Sequence, residues 1–275
     1  MLFEAANPVV REDFRRARED FEDAVLGLAS LTPAESKRLI ARAVAALPQV
    51  RRALENGRVV IANGTTTAYI AEEILGTTVH KYYFASGIIS EGTLAAVPAK
   101  VKVAPYLLHR GEPVNLDQRE FLEQFEADDV FIKSANAVDA QGMVGILLAH
   151  PNGGMMGQAL GIVYARGCHF IVPVGLEKLV LSVPEAAARK TGILRFKYAL
   201  GLRVGLVPVI GATVVTEIQA LRVLTGATAT HIGSGGIDGS EGSVVLSLEG
   251  SDDVVSRTLA LIKSIKGEAP TRPNP

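Results

Sequence analysis

Arg58-Val59-Val60-Ile61-Ala62-Asn63-Gly64-Thr65-Thr66-Thr67-Ala68-Tyr69-Ile70-Ala71-Glu72-Glu73-Ile74-Leu75 is the stretch whose reading decides the fold. Val59 to Ala62 are four consecutive apolar residues, too few for a helix and suited to a central strand covered on both faces. The segment behind them reads as a helix. Between the two, Asn63 to Thr67 set a glycine and three hydroxyls at a strand's carboxyl end, beside the unpaired N–H groups of a helix N-terminus. Such a junction favours an anion, most often a phosphate. An ordinary Thr N-cap on a strand-to-helix turn fits the same residues, and on this stretch alone both readings stay open. The sequon Asn63-Gly64-Thr65 is set aside, since nothing in the sequence marks a secreted chain.

Downstream the same alternation repeats. Asp129 to Ala135 reads as a buried strand ending in polar Asn136 and Asp139, and Gly145 to Ala149 as another. His150-Pro151-Asn152-Gly153-Gly154-Met155-Met156-Gly157 is a turn-rich loop, followed by a helix from Met155 to Ala165 and a strand from Cys168 to Val174. Strand, helix, strand, helix is the order of a parallel sheet in an α/β domain, where ligands gather at strand carboxyl ends. Upstream, Val10, Phe14, Ala17, Phe21, Val25 and Leu28 recur at spacings of three and four and predict an amphipathic helix over 9–29. Thr32-Pro33-Ala34-Glu35 is a capping-box signature for a second helix running to Asn56-Gly57. Thr78 to Ala85 reads as a strand ending at Ser86-Gly87, and Asp117 to Phe125 as a helix.

Past Val180 the pattern changes. Val204 to Ile210 reads as a strand, Val214 to Leu224 as a helix, Ala227 to Ile232 and Ser243 to Leu248 as strands, and Asp252 to Ile265 as a helix. That β-α-β-β-α order predicts a small ferredoxin-like module with a Gly-rich hairpin. The expected architecture is therefore α/β. N-terminal helices over 1–56 pack on or extend a Rossmann-like parallel-sheet domain over 57–200. A ferredoxin-like α+β module over 201–268 and a disordered tail over 269–275 follow.

The chain has 275 residues, 48% of them apolar, with a net charge of −1; mean hydropathy is +0.25 and the pI about 6.5. A near-neutral total leaves no overall electrostatic footprint for nucleic acid or an acidic membrane, and neither is expected as a partner. One cysteine, Cys168, excludes a disulfide framework and favours a cytoplasmic location. The five histidines lack metal-ligand spacing, so no metal is expected, and no cofactor either. Gly233-Ser234-Gly235-Gly236-Ile237-Asp238 fails the dinucleotide fingerprint, because Asp238 takes the sixth position and a strand follows. Lys133 and Lys178 each follow or end an apolar run, where a cation at a strand end can meet an anionic ligand. Glu91 stands on a turn as a possible nucleophile or base.

Taken together, the order of these segments resembles type A ribose-5-phosphate isomerase, of the superfamily shared with glucosamine-6-phosphate deaminase, CoA transferases and sugar-phosphate-sensing repressor domains. The resemblance runs from about Gly57 to Gly267. Ala62 to Ala68 stands at that family's phosphate loop, and Lys133-Ser134-Ala135-Asn136-Ala137-Val138-Asp139 at its Asp-Gly-Ala-Asp-Glu run. Asn152-Gly153-Gly154-Met155-Met156-Gly157 matches its Lys-Gly-Gly-Gly loop, and Glu177-Lys178-Leu179-Val180 its Ser-Lys-x-Val segment. The family's enediol chemistry rests on an Asp pair, a Lys and a Glu. Here Lys133 and Asn136 replace the aspartates, Asn152 replaces the lysine, and the base falls near Gly161. Isomerisation by the family mechanism is therefore not expected.

What the resemblance implies is a diverged scaffold that binds a small phosphorylated or carboxylated metabolite. Asn63, Gly64, Thr65, Thr66 and Thr67 would hold the phosphate, and Ser86, Asn136, Asn152, Gly153 and Lys178 would line the cleft. Lys133, Asp139 or His150 would take over any proton transfer. The alternatives are a CoA-transferase-like enzyme with Glu91 as acyl acceptor, and a non-catalytic interaction protein; a homo-oligomer is expected in any case.

Overall fold

Two-sided burial decides the centre of the structure: Val59, Val60, Ile61 and Ala62 are all fully buried. The computed structural model describes residues 24–188 and 191–273. In chain order, β1 (Val25–Leu31) is followed by α1 (Pro33–Ala46), α2 (Pro48–Asn56), β2 (Arg58–Ile61), α3 (Thr65–Leu75) and the short α4 (Lys81–Phe84). Then come β3 (Gly87–Ser90), β4 (Thr93–Ala96), β5 (Tyr106–His109), β6 (Glu112–Pro113), α5 (Gln118–Leu122), β7 (Val130–Ile132), β8 (Ala137–Val138) and β9 (Val144–Leu148). Helix α6 (Gly154–Arg166), β10 (His169–Pro173), α7 (Val183–Ala187), β11 (Gly205–Val209) and β12 (Thr213–Val215) lead to α8 (Glu217–Thr225), β13 (Thr228–Gly235), β14 (Ser243–Gly250) and α9 (Asp252–Ser264).

The fold is mixed α/β. Its main sheet has the order β12-β10-β7-β2-β5-β6. β2, β7, β10 and β12 run parallel, and β5 closes on β2 antiparallel. Successive side chains of a strand face opposite ways, and the two hydrophobic cores divide accordingly. Val59, Ile61, Val130, Ile132, Ile171 and Val215 face the core built with α1 and α3. Val60, Phe131, Phe170 and Val172 face the other, which α6 completes through Met156, Ala159 and Val163. Each fully buried Val or Ile contributes about 2 kcal/mol, and every apolar side chain of β2 and β7 lies in one core or the other.

Two smaller sheets, β11-β9-β8 and β1-β14-β13, and the ribbon β3-β4 surround this centre. The capping box forms at Thr32 and Glu35 as expected, but the helix breaks at Leu47 and restarts at Pro48, whose ring is admitted only in a first turn.

Three expected elements differ. Of the amphipathic helix over 9–29, residues 9–23 lie outside the described residues, and Val25–Leu31 is a strand paired antiparallel along its whole length with β14. Within this segment Gly27, Ala29 and Leu31 turn inward and Leu26, Leu28 and Ser30 outward, the period of a strand, and the open edge of β14 supplies the hydrogen bonds. Thr78–Ala85 carries a helical turn over Lys81–Phe84 in place of a strand. In the C-terminal region, β11 pairs with β9 and β12 with β10, so neither joins β13 and β14; the third strand of that small sheet is β1. Tyr69 donates to the Ala269 carbonyl at the start of the expected tail, whose last two residues lie outside the described ones; just before it, Gly267 N–H donates to Glu35 and Arg38 to Glu268.

Candidate functional site

Four parallel strands end on one side of the sheet, and each end carries a polar segment: Asn63-Gly64 after β2, Lys133-Ser134 after β7, Glu177-Lys178 after β10 and Thr216-Glu217 after β12. The first turn of α1, with Ser36 and Lys37, contributes a fifth.

The Asn63 side chain is occupied as a staple, donating to the Phe84 and Val103 carbonyls at 3.0 and 2.9 Å. Its own carbonyl accepts from Lys133 Nζ at 2.9 Å. Gly64 packs so tightly that a Cβ there would lie 2.3 Å from Ser134 Oγ and 2.9 Å from Thr67 Oγ1, so any other residue displaces these two hydroxyls. Thr67 Oγ1 turns back to the Gly64 carbonyl, and no side chain caps α3. Thr66 is fully buried and its hydroxyl has no partner among the described residues.

Among the described residues Lys133 bonds only to carbonyls, the backbone ones of Asn63 and, at 3.5 Å, Ser134. Burial first, then repulsion from Lys178 and Lys102, lowers its ammonium to about 8. Lys178 also acts on Lys37, lowered to about 8 by burial and then by Lys178, against the pull of Glu177 and Glu217. Glu217 opens α8 and is fully buried, accepting from Leu176 N–H at 3.0 and 3.2 Å. Burial and then the Glu177 carboxylate push it up to about 7. Both Glu177 oxygens are buried without a hydrogen bond, the nearest ion pair being Lys178 Nζ at 3.7 Å. Ser36 Oγ lies beside Glu217, favouring its ionised form, yet makes no bond of ordinary hydrogen-bond geometry.

The structure thus gathers Asn63, Gly64, Thr65, Thr66, Thr67, Lys133 and Lys178 at the strand ends. Among the described residues, no hydrogen bond or ion pair joins the remaining expected residues to this group. Asp139 is buried, with its carboxylate accepting three backbone N–H groups, from Gln141, Met143 and Val183. Asn136 is exposed and holds Leu147 N–H. His150 and Asn152 are exposed, and His150 Nδ1 accepts from Asn152 N–H. Gly153 is the left-handed N-cap of α6, at φ 74°. Ser86 follows α4 and accepts through its backbone from Val97. Glu91 is exposed on the β3–β4 turn with φ 51°.

Lys37, Glu177 and Glu217 were not legible as a site in the sequence. For Glu217 a signal existed: it follows a Thr N-cap directly after a strand. A cavity of about 500 Å³ lies elsewhere, between β1, the β13–β14 loop and Lys266. Its one lysine is already neutralised by Glu35 at 2.8 Å, so the uncompensated charges at the strand ends carry more chemical weight than that volume.

No protein-family model and no curated protein matches the chain. A solved D-ribose-5-phosphate isomerase, in complex with phospho-erythronic acid, aligns over 78% of this chain and 78% of its own, at 19% identity and a TM-score of 0.28. At that level any relationship is remote.

Proposed function

We propose that the protein binds a small phosphorylated or carboxylated metabolite at the carboxyl ends of β2 and β7, on a diverged scaffold of the phosphosugar-isomerase type. One observation carries this reading: Lys133 is a largely buried cation with carbonyl partners and no carboxylate, next to the uncapped N-terminus of α3. Two further lysines lower its proton affinity, and an anion placed there restores it. The Thr65 to Thr67 amides, the orphan Thr66 hydroxyl and Lys133 Nζ form the donor set. Any proton transfer falls to Glu177, whose oxygens accept no hydrogen bond, and Glu217, which accepts only the Leu176 N–H among the described residues.

The test is thermal unfolding against sugar phosphates, carboxylated sugars, acyl-CoAs and inorganic phosphate. A ligand at 100 times its Kd stabilises by roughly 2.7 kcal/mol. Lys133→Met and Thr66→Val are expected to abolish the shift while leaving the unliganded protein folded. A shift that survives both substitutions rules out this site.

A further inference from the structure

Between α7 and β11 the chain leaves the body as a loop whose neck is closed by two hydrogen bonds. Gly192 N–H donates to the Val204 carbonyl at 2.9 Å, and Leu206 N–H to Thr191 Oγ1 at 3.1 Å. The segment 192–204 is therefore an Ω-loop, a type often functional. It is further pinned at one flank, where Leu202 N–H donates to the Leu94 carbonyl at 2.9 Å and Gly201 bridges Leu94 on β4. Gly201 is required there, since a Cβ would sit 2.2 Å from the Leu94 carbonyl oxygen.

What this anchored loop presents is unusual for a surface. Leu194 and Leu200 are each 93% exposed and Tyr198 80%. Ile89, cross-strand from Leu94 on the ribbon that Gly201 joins, is 76% exposed. Between the apolar residues stand Arg195, Lys197 and Arg203, all exposed and none in an ion pair with a described residue; Lys197 Nζ lies over the Tyr198 ring at 5.2 Å. From Ala186 to Thr216 the sequence holds five Lys or Arg residues and no Asp or Glu. The first two of these, Arg189 and Lys190, lie outside the described residues. Glu91, at the tip of the β3–β4 ribbon, is the one carboxylate on the joined segments. A net charge of −1 over the whole chain conceals this local excess.

We propose that the 192–204 loop, with Ile89 beside it, docks the protein on an anionic lipid surface. Leucines standing free in water gain by entering the acyl boundary, while tyrosine and the flanking arginine and lysine suit the headgroup layer. Charge complementarity selects an anionic bilayer. Single-stranded nucleic acid calls for planar stacking platforms, and here three of the four most exposed apolar side chains are aliphatic. This docking uses none of the strand-end residues and stands apart from the anion-binding reading.

The experiment is co-sedimentation of the full chain with phosphatidylcholine vesicles and with mixed phosphatidylcholine–phosphatidylserine vesicles, at low and high salt. Binding is expected to the mixed vesicles only and to fall with salt. Each cation removed weakens it by about fivefold, so Arg195→Gln, Lys197→Gln and Arg203→Gln combined lower it on the order of a hundredfold. Leu194→Ser with Leu200→Ser lowers it as well, and because both side chains are exposed the thermal midpoint stays unchanged. No partition into vesicles of either composition overturns the proposal. So does tighter binding to an oligonucleotide than to vesicles, or a salt-sensitive rise in mass without lipid that the same substitutions abolish, which would assign the loop to self-association.

Discussion

Replacing Glu217 with Gln tests the strand-end cluster through stability alone, with no ligand needed. Glu217 is fully buried, and burial with the neighbouring Glu177 carries its carboxyl from 4.5 to about 7. Between those values the folded protein keeps a proton that the unfolded chain has released, so stability falls as pH rises from 4.5 to 7 and the whole penalty is present above 7. Such a displacement corresponds to about 3 kcal/mol at most. Gln keeps an oxygen that accepts from Leu176 N–H, so the substitution removes the charge and spares the bond. One loss partly offsets the gain: Glu217 favours the Lys37 ammonium, which is already lowered to about 8. The expected outcome in urea unfolding is a variant stabilised by about 1–3 kcal/mol at about pH 8, with the difference shrinking to nothing by pH 4.5. Titrating groups outside the cluster are common to both proteins and cancel in that difference, whereas Lys37 and Glu177, which feel the Glu217 charge, do not. Parallel stability curves from pH 4.5 to 8 would show that Glu217 ionises normally in the fold, and the account of the cluster would fail.

Lys133→Met exchanges binding for stability: with a buried ammonium gone, the variant is expected to be about 1–2 kcal/mol more stable at neutral pH and blind to the anion, both read in one thermal-shift series. Because Lys133 and Lys37 lose their protons near 8, anion affinity measured by calorimetry is expected to fall as pH rises through 8, while unliganded stability rises from 8 toward 10.5, where the unfolded chain still holds those protons. Gly64→Ala forces its Cβ against Ser134 Oγ and is expected to cost about 1–3 kcal/mol together with anion binding; wild-type affinity in that variant would show that the strand-end spacing does not matter. Arg38 bridges Glu72, Glu73 and Glu268 from a largely buried position. Arg38→Ala is expected to cost about 3 kcal/mol and to speed hydrogen exchange at Gly267, whose N–H is held by Glu35.

The centre of the fold was legible because its signal is local. Four apolar residues from Val59, the buried run at Asp129, and the glycine–threonine junction each report their own environment, and strand, helix and parallel order follow. Val25–Leu31 was not legible because its state depends on a partner more than 200 residues away, Ser243–Gly250. The same holds for β11 and β12, which look like neighbours of β13 in sequence but find their partners in β9 and β10. Within the site, the phosphate-loop candidate and Lys133 announced themselves by following apolar runs. Lys37 and Glu217 did not, since each lies in a helical first turn where a charged residue is commonplace. Only the tertiary packing of α1 and α8 over the strand ends buries them together.

Buried carboxylates separate into two classes by what their oxygens accept, and the proposed proton transfer rests on that distinction more than on residue type. Asp129 takes the Arg58 and Glu126 N–H groups and lies 3.8 Å from the Arg58 guanidinium. Asp139 takes three N–H groups, and Glu35 takes two with Lys266 besides. Each is saturated, so moving a proton onto one would break bonds that hold a turn or a helix end in place. Glu177 accepts none and Glu217 a single N–H group, although both are out of water. An unsatisfied buried carboxylate costs the fold stability, and here Glu177 is one, standing with the sparsely bonded Glu217, with Lys37 and Lys178, and with the orphan Thr66 and Ser36 hydroxyls at the carboxyl ends of parallel strands. A site built only for stability would have filled those positions with apolar side chains, as at Val59–Ile61 of β2, Val130–Ile132 of β7 and Phe170–Val172 of β10. The proposed anion-binding function accounts for the unpartnered Ser36, Thr66 and Glu177 groups, since strand carboxyl ends are where this architecture gathers ligands.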